Sequence, residues 1–421
     1  MSSRMLAGVR VIELAEVWAG PMGGSYLGDL GADVIKVESY PRFSVTRIVT
    51  PPVPGQGPSY ETSATQQTAN RNKRHLALNL RTERGAEVLR RLLVDADILT
   101  ESYSAGTFDQ MGFGWEFCRA VNPRLSLISM PGWGVEGPYQ GYVTLGSGLD
   151  ASGGHWALRG YPGEPADQVP AIFHSDATGA LTLVFAAVTA LHRREQTGAG
   201  ARIDLSQIEA LAWQLPGAFA EWTMHGREPG KLGNADPFVV PHGVYRAAGG
   251  EAAGGGDGEA WVAIAAEDDA QWAGVARAAG HPGWAVDGHA WATVTGRLAA
   301  RAAIDAALAE YALTATAEQI ADAVQAAGGI AAPLIAPWSV LTSPQHQARG
   351  WLESVEHRWV GTQLFPGFPW RTSPDAASWD RPSGLVGEHN QELLSALGYS
   401  AEEIASMVAD GVIGDRYSPR A

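Results

Sequence analysis

The stretch VRVIELAEVWAGPMGGSYLGDLGADVIKV, residues 9–37, decides the fold class of this chain. Its two apolar runs, Val9–Leu14 and Asp33–Val37, are typical of β-strands, and the first is followed by a glycine-rich turn at Ala19–Gly24. Such nearly continuous apolar runs are expected of parallel strands covered on both faces. α/β proteins hold phosphates after a first strand, but this turn lacks the G-x-G-x-x-G spacing of a nicotinamide site.

The same pattern continues through the first two hundred residues. Four further runs predict strands at His75–Leu78, Asp97–Thr100, Leu125–Ser129 and Arg202–Leu205. Helical patterns lie between them, as at Arg84–Asp95 and Thr178–Glu195. This alternation of strands and helices predicts an α/β fold with a doubly wound parallel sheet.

The character of the chain changes near Pro229. Phe238–Ala247 and Ala260–Ala266 predict two strands joined by the glycine-rich turn Gly249–Gly258, and alanine-rich helical patterns follow. We interpret this region as a second, smaller α+β domain. From about Ala331 the chain becomes rich in proline, tryptophan and arginine, and a helix is predicted near Asn390–Leu397.

Composition narrows the classes of function. Of the 421 residues, 45% are hydrophobic and 18% charged, as in ordinary globular proteins. The formal net charge of −15 disfavours nucleic acid as a partner. Cys118 is the single cysteine, which excludes a disulfide framework and a cysteine-based zinc site, and no metal is expected. We find no signal-peptide pattern, and the apolar run near Ala180–Leu191 is too short for a membrane span, so we expect a cytoplasmic protein.

Asp176 is the main candidate for chemistry. It lies in HSDATG, residues 174–179, immediately before a strongly apolar helix. Ser175, Asp176 and Thr178 are all N-cap residue types, so one interpretation is a helix cap. Free N–H groups and the helix dipole also stabilise an anion at this place, so the other interpretation is a nucleophilic carboxylate.

Two further features allow either a structural or a functional interpretation. Glycines cluster in two loops, as Gly132 with Gly134 and as Gly153 with Gly154. Such loops make turns, but they also bring backbone donors to an oxyanion. The basic segment Arg71–Arg74 is either a solvated turn or a cationic patch for phosphates.

Motifs along the whole chain resemble those of the class III CoA-transferases, including formyl-CoA transferase and benzylsuccinate-type CoA-transferases. The matching segments are Leu6–Leu14, Ala19–Pro21, Leu30–Glu38, Asn72–Arg74, Met111–Phe113, Asn122–Arg124 and Gly387–His389. The resemblance implies a Rossmann-like large domain, a smaller α+β domain and an interlocked-ring homodimer. We therefore expect residues 1–225 and the returning segment 331–421 to form the large domain, and residues 226–330 the small one.

The resemblance also implies the reaction. CoA would move between an acyl-CoA thioester and a carboxylic acid through an aspartyl-CoA thioester on Asp176, with Gly132, Gly134, Gly153 and Gly154 as loop or oxyanion residues. The implied contacts to CoA are Val17, Trp18, Ala19, Lys73, Arg74, Ser102, Tyr103, Thr107 and Met111. Trp18, Trp133 and Trp156 are candidates to line an apolar pocket for an aromatic or bulky acid.

Departures from the family pattern leave alternatives open. Ser39 and Gln110 stand where formyl-CoA transferase carries arginines. The cations that would compensate are Lys36, Arg42, Arg47, Lys73 or Arg74. A racemase of 2-substituted acyl-CoA is the second hypothesis, but residues 141–143 lack the histidine of that branch. A catalytically diverged subunit is the third.

Overall fold

A computed structural model describes residues 4–417 except 41, 53–56, 171, 251–258, 372 and 374–376. The described chain forms two compact units. The first comprises the chain up to Trp156, residues Pro170–Glu228 and the chain from Gly350 onward; the second comprises Ala157–Val169 and Pro229–Arg349. Residues 331–349 and Ala157–Val169 thus group with the second unit, whereas the sequence-based ranges place them in the large domain.

A parallel sheet of six strands organises the first unit. The strands are β1 Arg10–Glu13, β2 Asp33–Ser39, β3 Lys73–Leu78, β4 Ile98–Glu101, β5 Ser126–Ser129 and β6 Arg202–Asp204. Their order is β3-β2-β1-β4-β5-β6, and every neighbouring pair is parallel. The α/β fold class and all six predicted strands are therefore confirmed.

Helices connect these strands. They are α1 Ala19–Asp29, α2 Ala64–Ala69, α3 Glu83–Val94, α4 Thr107–Gln110, α5 Trp115–Val121, α6 Gly146–Ser152, α7 His155–Leu158, α8 His174–Thr197, α9 Gln207–Ala212 and α10 Pro216–His225. Short 3-10 helices lie at Val45–Arg47, Ser59–Glu61, Ala166–Gln168, Pro282–Ala285 and Pro337–Thr342. The helix predicted at Arg84–Asp95 corresponds to α3, which Thr82 caps through its side chain.

The sheet is apolar on both faces, as predicted for parallel strands. Val11 and Ile12 are adjacent in β1 and fully buried, yet they belong to different apolar clusters because successive strand side chains point to opposite faces. The cluster around Val11 includes Leu27 of α1 and Leu183 of α8. These two helices pack closely because Gly23 has no side chain; a Cβ there would lie 3.1 Å from the Ala180 carbonyl oxygen.

By length and composition alone, α8 is apolar enough to cross a membrane. Its buried residues, however, pack against α1 in the core of the first unit, as in the central helices of globular proteins. These contacts explain the apolar residues on one face of α8, whereas Leu181, Phe185 and Val188 are exposed on this chain.

The second unit contains an antiparallel sheet of β7 His242–Arg246, β8 Trp261–Ala265 and β9 Ile330–Pro333. Its helices are α11 Asp269–Ala278, α12 Val294–Ala299, α13 Arg301–Ala312, α14 Ala317–Ala326 and α15 Pro344–Ala348. The two predicted strands are confirmed, and β9 is an addition. From residue 251 to 258, the predicted glycine-rich turn lies outside the described residues.

The C-terminal segment belongs to the first unit. It forms the hairpin β10 Leu352–His357 and β11 Gly361–Pro366, followed by α16 Asn390–Ala396 and α17 Ala401–Ala409. The predicted helix near Asn390–Leu397 is thus confirmed as α16. The Asn390 side chain accepts a hydrogen bond from the Ala77 N–H at 3.0 Å, which fixes this segment against β3.

Candidate active site

A small cavity lies where the order of the strands reverses. β1 and β4 are adjacent in the sheet, and their chain connections run to opposite sides, so the loops after them leave a crevice. Residues 16, 17, 19 and 20 after β1, residues 102–105 after β4, and Pro131 and Gly132 after β5 line a cavity of about 90 Å³. Asp176 lines the same cavity.

Asp176 is not the cap of its helix. Helix α8 begins at His174, and its N-cap is Phe173, whose side chain makes no capping hydrogen bond. The helix-cap interpretation of Ser175, Asp176 or Thr178 is therefore wrong. The sequence places the helix start near Thr178, one turn late, because the polar first turn interrupts the apolar pattern. Asp176 thus lies inside the first turn.

Asp150 of α6 caps α8 from outside the helix. Its carboxylate is fully buried and accepts hydrogen bonds from the backbone N–H groups of His174 at 3.3 Å and Ser175 at 3.1 Å. The Ser175 hydroxyl donates to the Gly146 carbonyl at 3.1 Å, which ties the same turn to the start of α6. Because these contacts satisfy the helix end, the Asp176 carboxylate is available for other interactions.

A second helix start faces Asp176. Ala19 is the first residue of α1, and its backbone N–H donates a hydrogen bond to the Asp176 carboxylate. On another side Gly146 approaches so closely that a Cβ there would overlap a carboxylate oxygen of Asp176. The carboxylate is therefore held between the N-termini of α1 and α8, where helix dipoles favour an anion.

The environment of Asp176 raises its pKa to about 6, from the usual value of 3.8. Burial is the main cause, the hydrogen bond from Ala19 opposes it, and the charge of Asp150 adds to it. Only 8% of Asp176 is exposed, and no lysine, arginine or histidine occurs among the described residues that line its cavity. The side chain is thus ionised near neutral pH yet poorly solvated, which suits a nucleophile.

Backbone strain marks both segments that bring the helices together. Val17, before α1, has φ +67°, and Phe173, before α8, has φ +58°. Left-handed backbone is unfavourable for a β-branched residue and persists where the surrounding structure imposes it. The rings of Trp18 and Phe173 meet edge to face at 6.3 Å, so the two strained segments pack against each other.

Part of the cavity lining comes from an exposed loop, in which Tyr142, Val143 and Leu145 are the apolar members and Gln140 and Thr144 the polar ones. Tyr142 also forms an aromatic cluster with Trp133 and Tyr139, with ring centroids 4.8–5.8 Å apart. None of the three tryptophans predicted to line an acid pocket, Trp18, Trp133 and Trp156, is among the described residues that line this cavity. Trp133 contacts Tyr142, which does line it.

A larger cavity of about 930 Å³ adjoins the first one. Residues that follow β2, β3 and β4 line it, and Glu16 and Tyr103 line both cavities. Arg42 and Arg81 are its cations, and within the described part of the chain neither guanidinium forms an ion pair. Its volume falls at the upper end of the range for small-molecule sites.

The predicted CoA contacts are distributed unevenly over these cavities. Val17, Ala19, Ser102 and Tyr103 line the small cavity, and Tyr103, Thr107 and Met111 line the large one. Ser39, at one of the missing arginine positions, also lines the large cavity. Trp18 instead packs on Phe173.

The structure does not bring Lys73 to either cavity. Its ammonium is 2.9 Å from the Glu13 carboxylate and donates to the Pro21 carbonyl, and burial lowers its pKa to about 7. Lys36 also pairs with Glu13, at 3.3 Å. Both lysines are 1% exposed and contribute to the interior of the first unit.

Arg47 and Arg74 are also committed to ion pairs. Arg47 is fully buried between Glu38 and Glu61, at 2.5 and 2.6 Å. Arg74 pairs with Asp33 at 2.6 Å and lines a separate cavity of about 230 Å³. Among the predicted compensating cations, only Arg42 lines the large cavity.

The four glycines predicted to form loops at the active site do not lie together in the structure. Gly132 lines the cavity of Asp176. Gly134 adjoins Asp204, whose carboxylate accepts a hydrogen bond from the Val135 N–H, and Gly153 and Gly154 close the end of α6. The last three are absent from the described lining of the cavity.

Residues at the site that were not singled out from the sequence include Asp150, Gly146, Glu16 and Arg81. Arg81 follows β3 at the carboxyl edge of the sheet, so its position after a predicted strand was a usable signal. Asp150 and Gly146 gave no local signal, because their roles depend on how α6 packs against α8. Within the described ranges, no group of three His, Cys, Asp or Glu side chains is placed to hold a metal ion.

Comparison with known proteins identifies the family of the chain. The model of CoA-transferase family III matches residues 6–390. The chain is 30% identical to succinyl-CoA–D-citramalate CoA-transferase of Chloroflexus aurantiacus, over 97% of this chain and 98% of the relative. It is also 30% identical to succinate–glutarate CoA-transferase of Agrobacterium fabrum, over 93% and 95%. A CaiB/BaiF family protein from Brucella suis superposes with a TM-score of 0.82 at 30% identity, covering 94% of this chain and all of the other.

Proposed function

This chain belongs to CoA-transferase family III, and we propose that it moves CoA between an acyl-CoA thioester and a carboxylic acid, with Asp176 as the nucleophile. The observation that carries the proposal is the buried Asp176 carboxylate, held between two helix N-termini with no cation in the described lining of its cavity. A carboxylate stripped of water and of counterions is reactive toward a thioester carbonyl.

We propose that CoA occupies the two adjoining cavities. We place the nucleotide in the large cavity, where Arg42 and Arg81 contact its phosphates. The pantetheine arm then passes Glu16 and Tyr103 and brings the thioester to Asp176. Arg42 would supply charge in place of the arginines that are missing at Ser39 and Gln110.

The proposed reaction has four steps, and in each of them a leaving group is released as a new bond forms. The Asp176 carboxylate attacks the donor thioester carbonyl, and the C–S bond breaks to give a mixed anhydride and CoA thiolate. The thiolate attacks the Asp176 carbonyl and releases the donor carboxylate, leaving an aspartyl-CoA thioester. The acceptor carboxylate and the released thiolate then repeat these steps in reverse. No net proton transfer occurs, so the reaction needs positioning and desolvation rather than a general base.

The chain's own residues support these steps. The Ala19 N–H restrains the Asp176 carboxylate, and Asp150 and Ser175 fix the turn that carries it. Burial protects the anhydride and the aspartyl thioester from hydrolysis. The racemase alternative needs a second base beside Asp176. Residues 141–143 lack the histidine of the racemase branch, and His155 and His174 pack against each other at 5.1 Å and are not among the described residues that line the cavity. Glu16 is the other carboxylate in that lining.

Trapping tests the nucleophile directly. After incubation with an acyl-CoA, hydroxylamine or borohydride followed by peptide mass spectrometry should mark Asp176. Asp176→Asn should prevent the modification, because an amide cannot form the anhydride. Full transfer activity in that variant would overturn the mechanism.

Titration with CoA tests its placement. Arg42→Ala and Arg81→Ala should each weaken CoA binding by at least about tenfold, since a charged hydrogen bond contributes about 1.5–3 kcal/mol. Arg119→Ala removes a surface charge elsewhere and is the matched control. Unchanged affinity in both cavity variants would place CoA somewhere else. The interlocked homodimer and the cytoplasmic location belong to the same proposal, and sedimentation analysis tests the dimer.

A further inference from the structure

The turn between β1 and α1 carries the backbone N–H of Ala19, which donates to the Asp176 carboxylate. Resting on the proposed function, we infer that Lys36 is a positioning residue for this reaction, because its buried ammonium holds the turn in the shape that keeps the Ala19 N–H on Asp176. Lys36 lies in β2 and is 1% exposed, so its contacts are formed within this chain.

The turn is tight and strained. Val17 has φ +67°, a left-handed conformation that is unfavourable for a β-branched residue. A Cβ on Gly20 would overlap the Cβ of Ala15, so the two ends of the turn nearly touch. Backbone of this kind persists only where other groups hold it. The position of the Ala19 N–H therefore depends on the contacts that fix the residues before it.

One peptide group at the start of the turn is fixed at both ends by side chains. The Lys36 ammonium donates to the Ala15 carbonyl and lies 3.3 Å from the Glu13 carboxylate at the end of β1. The N–H of the same peptide group belongs to Glu16 and donates to the Ser102 hydroxyl at 2.8 Å. With both its polar groups bound, this peptide group cannot rotate without losing a buried hydrogen bond.

A second buried ammonium holds the other end of the turn. Lys73 lies 2.9 Å from the Glu13 oxygen that also contacts Lys36, and it donates to the Pro21 carbonyl of α1 at 2.7 Å. A carboxylate shared by two buried cations fixes both of them, because an unpaired charge in the interior is costly. Lys36 therefore holds the turn from the strand side, and Lys73 supports it from the helix side.

The charges that face Lys36 keep it ionised where Asp176 titrates. Burial alone would lower the pKa of Lys36, but the charges of Glu16, Glu13 and Glu38 outweigh it and raise the pKa. The ammonium is thus charged on both sides of pH 6. Other titratable side chains near the two groups include Lys73 beside Lys36, Asp150 beside Asp176, and Glu16, Tyr103 and Tyr142 in the described lining of the cavity.

The pH dependence of activity tests this role. Lys36→Met should lower kcat by roughly ten- to a hundredfold, because a reacting group that is misplaced loses its orientation. Burial raises the pKa of Asp176 and the Ala19 N–H opposes this rise, so loss of that hydrogen bond should move the acidic limb of kcat/KM to higher pH.

Arg297→Met is the matched control. Arg297 is an equally buried cation, and it donates to a backbone carbonyl and pairs with a carboxylate in the second unit. This variant should lower the melting temperature and leave the acidic limb in place. An equal movement of the limb in Arg297→Met would mean that the limb reports lost stability, against the inference.

A double variant separates positioning from stability and from charge. Lys36→Met leaves Glu13 with one cation fewer, whereas Lys36→Met combined with Glu13→Gln removes both charges and should regain part of the lost stability. Methionine cannot donate to the Ala15 carbonyl, so the limb should stay at the higher pH in both variants. A limb that returns to the parent position in the double variant, or that does not move in either, would show that Lys36 supports only the fold.

Trapping of Asp176 separates this inference from the proposed function. If an acyl-CoA labels Asp176 in the parent and the limb of Lys36→Met is unshifted, the proposed function stands and the inference fails. If no acyl-CoA labels Asp176 in the parent and no CoA is transferred, the proposed function itself fails, and the inference with it.

Discussion

Two buried carboxylates of the first unit, Asp176 and Glu38, have opposite properties. They are 8% and 1% exposed, so both have lost most of their water. Burial alone would raise both pKa values. In Glu38 it is outweighed by Arg47, which binds both carboxylate oxygens at 2.5 and 2.7 Å, and by His75 at 2.6 Å. The pKa of Glu38 therefore lies well below its usual range, whereas that of Asp176 rises to about 6.

This difference shows that the hydrogen-bonding and charged partners of a buried carboxylate, rather than its burial, decide whether it is structural or reactive. Glu38 lies in β2 within a network of fully paired charges, and its ionised form is stabilised. Asp176 has backbone N–H partners and the like charge of Asp150, so its ionised form keeps a high free energy. Chemistry requires the second arrangement, since a fully paired carboxylate is a poor nucleophile.

The largest expected effect is on activity. Asp176→Asn should lower the rate of CoA transfer by at least about a thousandfold, because the amide removes the nucleophile. Transfer of CoA from an acyl-CoA to a carboxylate, followed by chromatography of the thioesters, measures this rate. The surface variant Glu116→Gln is the control and should keep the parent rate. A loss below tenfold would show that Asp176 is not the nucleophile, so Asp176 and Glu38 would no longer differ in function.

The next effect is on stability. Arg47→Met should lower the free energy of unfolding by about 3–5 kcal/mol, because Glu38 and Glu61 would lose their buried cation. Urea denaturation measures this change. Adding Glu38→Gln to the variant should restore part of the loss, since one of the two unpaired charges disappears. A cost under 1 kcal/mol would mean that water, not Arg47, stabilises these carboxylates.

The two carboxylates should also show opposite dependences of stability on pH. A pKa raised from 3.8 to about 6 means that the folded state binds the Asp176 proton more tightly, so ionisation above pH 6 costs stability. Asp176→Asn should therefore be more stable than the parent at pH 8, by up to about 3 kcal/mol, and similar to it near pH 4. Glu38 contributes stability that is lost as the pH falls, so Glu38→Gln should differ least from the parent in acid. Melting curves from pH 4 to 8 check the sign for Asp176, and their extension below pH 4 checks the sign for Glu38.

The smallest effect concerns Asp150. In the parent, kcat/KM should fall as the pH drops below about 6, because Asp176 becomes protonated. Asp150→Asn keeps an oxygen for the cap of α8 but removes the charge that raises the pKa of Asp176. The acidic limb of the profile should therefore move to lower pH. Asp150→Ala, which removes the cap as well, should lower the melting temperature, and an unshifted limb in Asp150→Asn would assign this residue to capping alone.

The strands and several helices followed from the sequence because their signals are local. Six apolar runs predicted the six parallel strands, and Arg84–Asp95 predicted α3, since the apolar period reports burial directly. The start of α8 was missed because its cap comes from Asp150, 25 residues before Ser175. A cap supplied by another element leaves no pattern in the helix that receives it.

The positions of the basic side chains also could not be predicted from the sequence. A basic segment at Arg71–Arg74 suggested a phosphate patch, but Lys73 points into the interior and pairs with Glu13. Arg42 and Arg81 line the large cavity instead. Sequence reveals where charges lie along the chain, but not which charges share a partner in space.

The sequence by itself determined the α/β class, the family and Asp176 as the candidate carboxylate, because strand periodicity and motif order lie along the chain. The tertiary structure alone decided that Asp176 lies between the N-termini of α1 and α8, that Asp150 caps the turn, and that no cation occurs in the described lining of the cavity. The reactivity of a carboxylate depends on its solvation and on charges a few ångströms away. Both are set by residues distant in sequence, which only folding brings together.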